Sequence, residues 1–175
     1  SANVLGSCYG TTGPASVSAE TGRRYYSDFP FVTIRDMVRL HQRLRRHLGI
    51  TGLEMLVGGS IGGYQALEWA IMEPELTARL VLLATSAQSS PWTVAFNESQ
   101  RMALQADASF GEHRPEAGRA GLRAARSIAL LSYRNSGTYN ATQAEQDVGV
   151  KRDFRASSYQ RYQGEKLVRR FDAYA

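Results

Sequence analysis

Among its 175 residues the sequence holds one cysteine, Cys8, three histidines and two lysines. A lone thiol cannot close an internal disulfide, which excludes a disulfide-stapled scaffold and favours a reducing, cytoplasmic setting. Without an evident base partner, Cys8 reads as a packed residue. Long apolar runs are missing too. Leu80 to Ala84 is among the longest, far short of the ~18 residues a membrane span needs. No charged-then-apolar leader opens the chain, so no secretory signal is expected. Metal ligands are sparse, and neither a metal site nor a permanently bound cofactor is expected.

What is present is ordinary globular material. Hydrophobic residues make up 43% and charged residues 21%, enough for a real core and unlike a disordered tail or a collagen-like fibre. The net charge of +5 raises the question of nucleic acid, since basic side chains draw phosphates. The basic residues are scattered arginines, however, and no recognised binding module accompanies them. Their densest set, Arg35, Arg39, Arg43 and Arg46, falls on one helical face. Met37, Leu40, Leu44 and Leu48 form the opposing apolar stripe, so a solvated face of an amphipathic helix accounts for the pattern.

The first thirty residues are rich in Gly, Ser, Thr and Pro and read as a surface loop, with a short buried strand at Asn3 to Leu5. Thr33 and Asp36 make a capping-box-like start for a helix that ends near Leu48, before Gly49. Leu53 to Val57 and Arg79 to Thr85 read as buried strands, and Gly62 to Met72 between them reads as a helix. Helix, strand, helix, strand with short joints predicts a parallel sheet with crossover helices, an α/β class. After Ala87 the character changes. Ser90-Pro91 opens a helix to about Ala106, Pro115 to Tyr133 forms a second and Ser157 to Tyr174 a third. Asn135 to Lys151 is polar and loop-like. Three helices without a strand cannot extend the sheet, so residues 1–87 are expected to form part of a core and residues 88–175 a helical lid.

The stretch Val57-Gly58-Gly59-Ser60-Ile61-Gly62-Gly63 fits G-x-S-x-G at Gly58, Ser60 and Gly62, between a strand and a helix. That context suits a nucleophile elbow. Glycines clear a sharp strand-to-helix turn, the Ser60 hydroxyl stands above the sheet, and the Ile61 N–H faces a substrate oxyanion at the helix N-terminus. A phosphate loop wants Lys and Ser or Thr after its last glycine, which Gly63-Tyr64 does not supply. The bland reading is a tight glycine turn with an incidental serine. A nucleophilic serine also needs a base, in the chain order Ser, Asp or Glu, His. His41 and His47 precede Ser60 on the amphipathic helix, and His113 sits in a polar loop between lid helices. No base is recognisable.

Gly58 to Ala70, read as GGSIGGYQALEWA, resembles the homoserine O-acetyltransferase family. So do Asn3 to Pro14, Asp28 to Asp36, Ala84 to Ala87, Ser90 to Trp92, Phe96 to Arg101 and Tyr162 to Lys166, in the right order over almost the whole chain. The resemblance implies an α/β-hydrolase core with a helical lid, and transfer of an acetyl group from acetyl-CoA, as co-substrate, to the hydroxyl of L-homoserine, a step towards methionine. It implies Ser60 as the acetyl-carrying nucleophile, the Ile61 N–H as an oxyanion donor, and Arg126 as the arginine contacting the substrate, where a fork suits an amino-acid carboxylate. Read without the resemblance, Arg126 is a lid-surface or salt-bridge arginine. The family's triad Asp and His are expected beyond Ala175 and its first strands before Ser1, so this chain reads as a partial enzyme with negligible activity alone. A homodimer through the lid is expected, with no nucleic-acid or membrane partner. Two other readings stay open: an esterase or other amino-acid O-acyltransferase, with a succinyl donor or serine acceptor, and an inactive fragment or dimerisation module.

Overall fold

The computed structural model describes residues 2–7, 10–146, 149 and 152–175; Cys8 lies outside them. Two compact units emerge, one from Ser1–Thr11 with Phe29–Ser89, the other from Thr12–Asp28 with Ser90–Ala175.

In the first unit α1 spans Ile34–His47, and both of its ends are written in the sequence. The Thr33 side chain accepts from the Asp36 N–H while the Asp36 carboxylate accepts from the Thr33 N–H, a reciprocal capping box. At the other end Gly49 adopts φ +67°. Its N–H and that of Ile50 donate back to the carbonyls of Arg46 and Arg45, the paired closure that a left-handed glycine permits. Strand β1, Leu56–Gly59, leads into helix α2, Ile61–Met72, and strand β2, Leu80–Leu83, returns beside β1. The two strands are parallel, with Leu56 opposite Leu80 and Gly59 opposite Leu83. Leu53 and Thr77 extend the pairing by one isolated bridge.

Helix α2 packs on both strands and on α1. Val38 of α1 is fully buried, a burial that contributes roughly 1.5–3 kcal/mol. Polar clamps join the helices around this apolar centre. Arg45 pairs with Glu73 at 3.0 Å, and the Trp69 indole N–H donates to the same carboxylate at 2.6 Å. The indole bond, then the Arg45 charge, hold the Glu73 carboxyl below its ordinary pKa against the opposing effect of burial.

Several expectations change here. No strand forms at Asn3 to Leu5, where the chain turns instead and the Ser7 N–H donates to the Val4 carbonyl. The strands, expected to be buried, keep Val57 at 54% and Leu83 at 56% exposure, because the described residues cover this two-stranded ladder incompletely. The apolar stripe of α1 is displaced: Met37, Val38 and Gln42 are buried, whereas Leu44 and Leu48 are exposed. The arginine face is solvated as expected: Arg35, Arg39, Arg43 and Arg46 are all exposed, and Arg35 and Arg39 make surface ion pairs with Glu68 at 2.5 Å and Asp36 at 3.1 Å.

The second unit contains α3, Pro91–Gln105, α4, Arg119–Ser132, α5, Ser136–Gln143, and α6, Arg155–Val168. Ser90 caps α3 by accepting from the Thr93 N–H, with Pro91 in the first turn, as expected. Helix α4 touches both α3 and α6, and glycine makes each crossing close. A methyl on Gly121 would fall 2.8 Å from the Leu104 backbone, and one on Gly164 would fall 2.6 Å from Arg123 Cγ. Ala117, Ala125, Ala129, Leu130 and Val168 supply the small apolar core.

The expected loop at 135–151 contains α5. The Asn135 side chain accepts from the Gly137 and Thr138 N–H groups, and Tyr139 meets Tyr159 edge to face at 6.2 Å. Residues 12–28 group with the helices rather than with the strands, through the Tyr26 ring at 5.4 Å from Tyr174 and 5.7 Å from His113. Among the described residues no helix is long and apolar enough to cross a membrane.

Helix α4 begins four residues later than the composition suggests, and a carboxylate from outside the helix sets its start. Gly118, at its N-cap, has no side chain to offer. Asp107 substitutes, accepting from the Gly121 N–H at 2.9 Å and from the Ser109 hydroxyl at 2.7 Å. The Gly121 bond first, then those of Ser109, push the Asp107 carboxyl down to about 2. A depressed carboxylate contributes fully above its unfolded pKa of about 4 and loses that contribution as pH falls towards its folded value. Asp107→Asn is therefore expected to melt below the parent at neutral pH. Melting curves from pH 6 to pH 2 should show the gap closing below about pH 4; a gap that stays constant across that range would remove Asp107 as the charged cap.

Candidate active site

The turn from β1 into α2 is a point of strain in the first unit. Ser60 sits at φ +52° and ψ −121°, a conformation that costs a non-glycine residue roughly 1–3 kcal/mol. Serine at a helix N-cap ordinarily bends its hydroxyl onto the first turn. Here the side chain makes no cap bond, and the residue is exposed. Among the described residues no acceptor engages the Ile61 or Gly62 N–H, and the first turn of α2 carries no acidic residue. The result is an exposed hydroxyl beside N–H donors that no described residue engages, at the positive end of a helix dipole, an arrangement suited to attack on a carbonyl and stabilisation of its oxyanion.

Bonds from β2, from α2 and from the Thr85 side chain hold this turn. The Ser60 N–H donates to the Leu83 carbonyl at 2.9 Å. The Ser60 carbonyl accepts from the Gly63 N–H at 2.9 Å, the Tyr64 N–H at 3.3 Å and the Thr85 hydroxyl at 2.6 Å. Space is the second constraint. A methyl on Gly58 would fall 2.5 Å from the Gly62 carbonyl carbon, and one on Gly63 would fall 2.6 Å from Thr85 Cβ. Gly62, the last glycine of the sequence motif, has nothing within 4 Å of such a methyl. The spacing G-x-S-x-G thus picks out one glycine the turn needs, Gly58, and passes over another, Gly63. Thr85 was also missed as part of the turn. Besides its place in the family-like stretch Ala84 to Ala87, its signal is a short hydroxyl residue just past the C-terminal end of a parallel strand, the edge where open α/β sheets place ligands.

Ser60 and Ile61 stand together in the first unit, and Arg126 belongs to the second. Helix α4 directs two of its other arginines to one acid, Arg119 and Arg123 lying 3.5 and 3.7 Å from Glu165. Arg126, half-buried, has no carboxylate partner among the described residues; its guanidinium lies 5.8 Å from the centre of the Tyr133 ring. The histidines are otherwise occupied or exposed. His41 Nε2 lies 2.8 Å from Gln65 Oε1, and its ring stacks on Trp69 at 5.7 Å. His47 is exposed at the end of α1, and His113 is exposed beside Tyr26. Among the described residues no group of His, Cys, Asp and Glu is arranged to hold a metal ion.

A family model for the alpha/beta hydrolase fold matches residues 1–163. The chain is 46% identical over 172 residues to a homoserine O-acetyltransferase of Cyclobacterium marinum, covering 98% of this chain and 49% of that one. The crystal structure of homoserine O-acetyltransferase from Bacillus anthracis superposes with a TM-score of 0.84 at 26% identity, over 93% of this chain and 46% of the other. Esterase E22 superposes with a TM-score of 0.80 at 27% identity, over 93% of this chain and 48% of its own. The chain spans about half the length of the curated relatives it matches.

Three of the four elbow glycines separate in a way the motif alone does not suggest. Gly62→Ala is expected to fold with unchanged or slightly raised stability, since alanine in a helix gains roughly 0.5–1 kcal/mol over glycine. Gly58→Ala and Gly63→Ala force backbone or Thr85 to move, and each should cost roughly 1–3 kcal/mol. Urea unfolding of the three variants checks the order. A Gly63→Ala variant as stable as Gly62→Ala would show that Thr85 yields freely.

Proposed function

The chain belongs to the alpha/beta hydrolase family, and from that premise we propose that it carries the nucleophile of an acyltransferase moving an acetyl group from acetyl-CoA to L-homoserine. The observation that carries this reading is the strained Ser60, with its hydroxyl unused as a cap beside the open Ile61 N–H. The 46% identity to a homoserine O-acetyltransferase across nearly the whole chain supports the choice of substrates.

The chemistry runs in two halves. Ser60 Oγ attacks the thioester carbonyl carbon and its proton passes to a general base. The new C–O bond forms, the oxyanion takes the Ile61 N–H, and the C–S bond breaks as the base returns the proton to the departing CoA sulfur. The homoserine hydroxyl then attacks the acetyl carbon and gives its proton to the base, and the bond from that carbon to Ser60 Oγ breaks as the proton returns to Oγ. His41 is engaged by Gln65 and stacked on Trp69, and His47 and His113 are exposed; the base and the carboxylate that orients it are proposed to come from the rest of the enzyme. This chain without them would turn over negligibly. Arg126 is proposed to hold the homoserine carboxylate through two parallel N–H bonds. The enzyme is read as cytoplasmic, working as a homodimer joined through the helical unit, with a role in methionine synthesis.

The likeness to esterase E22 favours one second reading, in which water replaces homoserine in the second half and the product is acetate. One assay divides the two. In the full-length enzyme, CoA release should depend on homoserine, and Ser60→Ala should lower it by about 10⁴-fold or more. Homoserine-independent release with acetate as the product would turn the assignment to hydrolysis. Arg126→Lys replaces a fork with a point charge. It is expected to raise the KM for homoserine by about tenfold to a hundredfold, while hydrolysis of a small acetyl ester stays unchanged. An equal fall in both activities would make Arg126 structural.

A further inference from the structure

The Ser60 carbonyl and the Ile61 N–H are the two ends of one peptide unit. That unit is planar, and in the trans form its C=O and N–H point in opposite directions. Whatever fixes the carbonyl therefore fixes the aim of the N–H. Two of the three donors on this carbonyl are the helix's own N–H groups, Gly63 at 2.9 Å and Tyr64 at 3.3 Å. The third and shortest comes from outside the helix, the Thr85 hydroxyl at 2.6 Å.

The fold makes several provisions for that contact. The chain leaves β2 through Ala84 at φ +50°, a left-handed step uncommon for a residue with a side chain. Thr85 then lies against Gly63, whose missing side chain leaves the room: a methyl there would fall 2.6 Å from Thr85 Cβ and 2.9 Å from Thr85 Cγ2. A bond accepted at an amide oxygen also polarises the amide and strengthens its N–H as a donor, by about 10–30% for each bond.

We propose that Thr85 is a positioning residue for the oxyanion donor: its hydroxyl, by pinning the Ser60 carbonyl, aims and polarises the Ile61 N–H without touching substrate. The inference rests on the reading of Ser60 as nucleophile and Ile61 as donor. It adds a residue from the next strand that sets how well that donor works.

The test uses the full-length enzyme with Thr85→Val, which keeps the shape and removes the donor, and Thr85→Ser, which keeps the donor. Removing a direct oxyanion donor costs about 10²–10³ in kcat, so an indirect one is expected to cost about tenfold to thirtyfold. Thr85→Val should show that loss in kcat with the acetyl-CoA KM within about twofold, and Thr85→Ser should recover most of it. An alkylboronic acid, which forms a tetrahedral adduct on a serine Oγ, should bind Thr85→Val more weakly by a factor matching the kcat loss, while CoA binds both variants alike. If Thr85→Val fails to fold, Thr85→Ala takes its place in the comparison with Thr85→Ser. Wild-type kcat and boronate affinity in the variant lacking the hydroxyl would overturn the inference, as would a Thr85→Ser loss equal to that of Thr85→Val. Full activity in Ser60→Ala would instead remove the nucleophile reading itself, whereas an inactive Ser60→Ala beside an unimpaired Thr85→Val rejects the role of Thr85 alone.

Discussion

The first unit depends on keeping one residue where the backbone does not want to be. Ser60 at φ +52° holds a strain of roughly 1–3 kcal/mol, and such strain persists only where the surroundings over-determine it. Its N–H is taken by Leu83 and its carbonyl by Gly63, Tyr64 and Thr85. Two of these four partners belong to β2 or its immediate continuation. The elbow is thus a joint between two strands and a helix, and pairing Gly59 with Leu83 is what brings the β2 terminus to it. A slip of one residue would reverse the faces of the strand and remove the acceptor from Ser60.

The rest of the unit keeps α2 from moving off that joint. Its far end is tied to α1 through Glu73, which receives both Arg45 and the Trp69 indole, and its middle through the contact of His41 with Gln65. These are directional, partly buried bonds that specify one placement of α2, whereas the apolar contacts around Val38 are tolerant of small shifts. The second unit solves its packing with the same device on a different element. Gly121 and Gly164 let α3 and α6 close on α4, as Gly63 lets Thr85 close on α2.

What could be read from the sequence follows the range of the forces involved. Local interactions were legible. Thr33 with Asp36, Gly49, and Ser90 with Pro91 each act within one helical turn, and α1 and α3 begin or end where those residues say. Helix α5 was not legible, because its composition is polar and its support comes from an Asn135 cap and from Tyr159, twenty residues beyond Tyr139. The start of α4 was misplaced for a related reason: the cap is Asp107, fourteen residues from its partner Gly121. At the site, Ser60 was evident from spacing and context. Gly63 and Thr85 were not, since a close approach between a helix and the end of a later strand leaves no period in the sequence. Burial of the strands was overestimated because an apolar run reports what a segment can pack against, and the described residues supply only part of that.

The same division bears on specificity. In the proposed mechanism, attack by Ser60 and stabilisation at Ile61 would concern only the acyl carbon and its oxygen, and the resulting ester would be open equally to water or to an alcohol. Nothing in the elbow distinguishes an esterase from a transferase, in keeping with the likeness of this chain to both kinds of protein. Choice of acceptor needs a group that recognises something other than the reacting hydroxyl, and in homoserine the strongest such handle is the carboxylate. Arg126 offers a half-buried guanidinium with no carboxylate partner among the described residues, where its helix neighbours Arg119 and Arg123 are committed to Glu165. The planar fork of Arg126 suits the carboxylate that the proposed function assigns to it. The proposed transfer to an amino-acid acceptor therefore calls on recognition beyond the elbow itself.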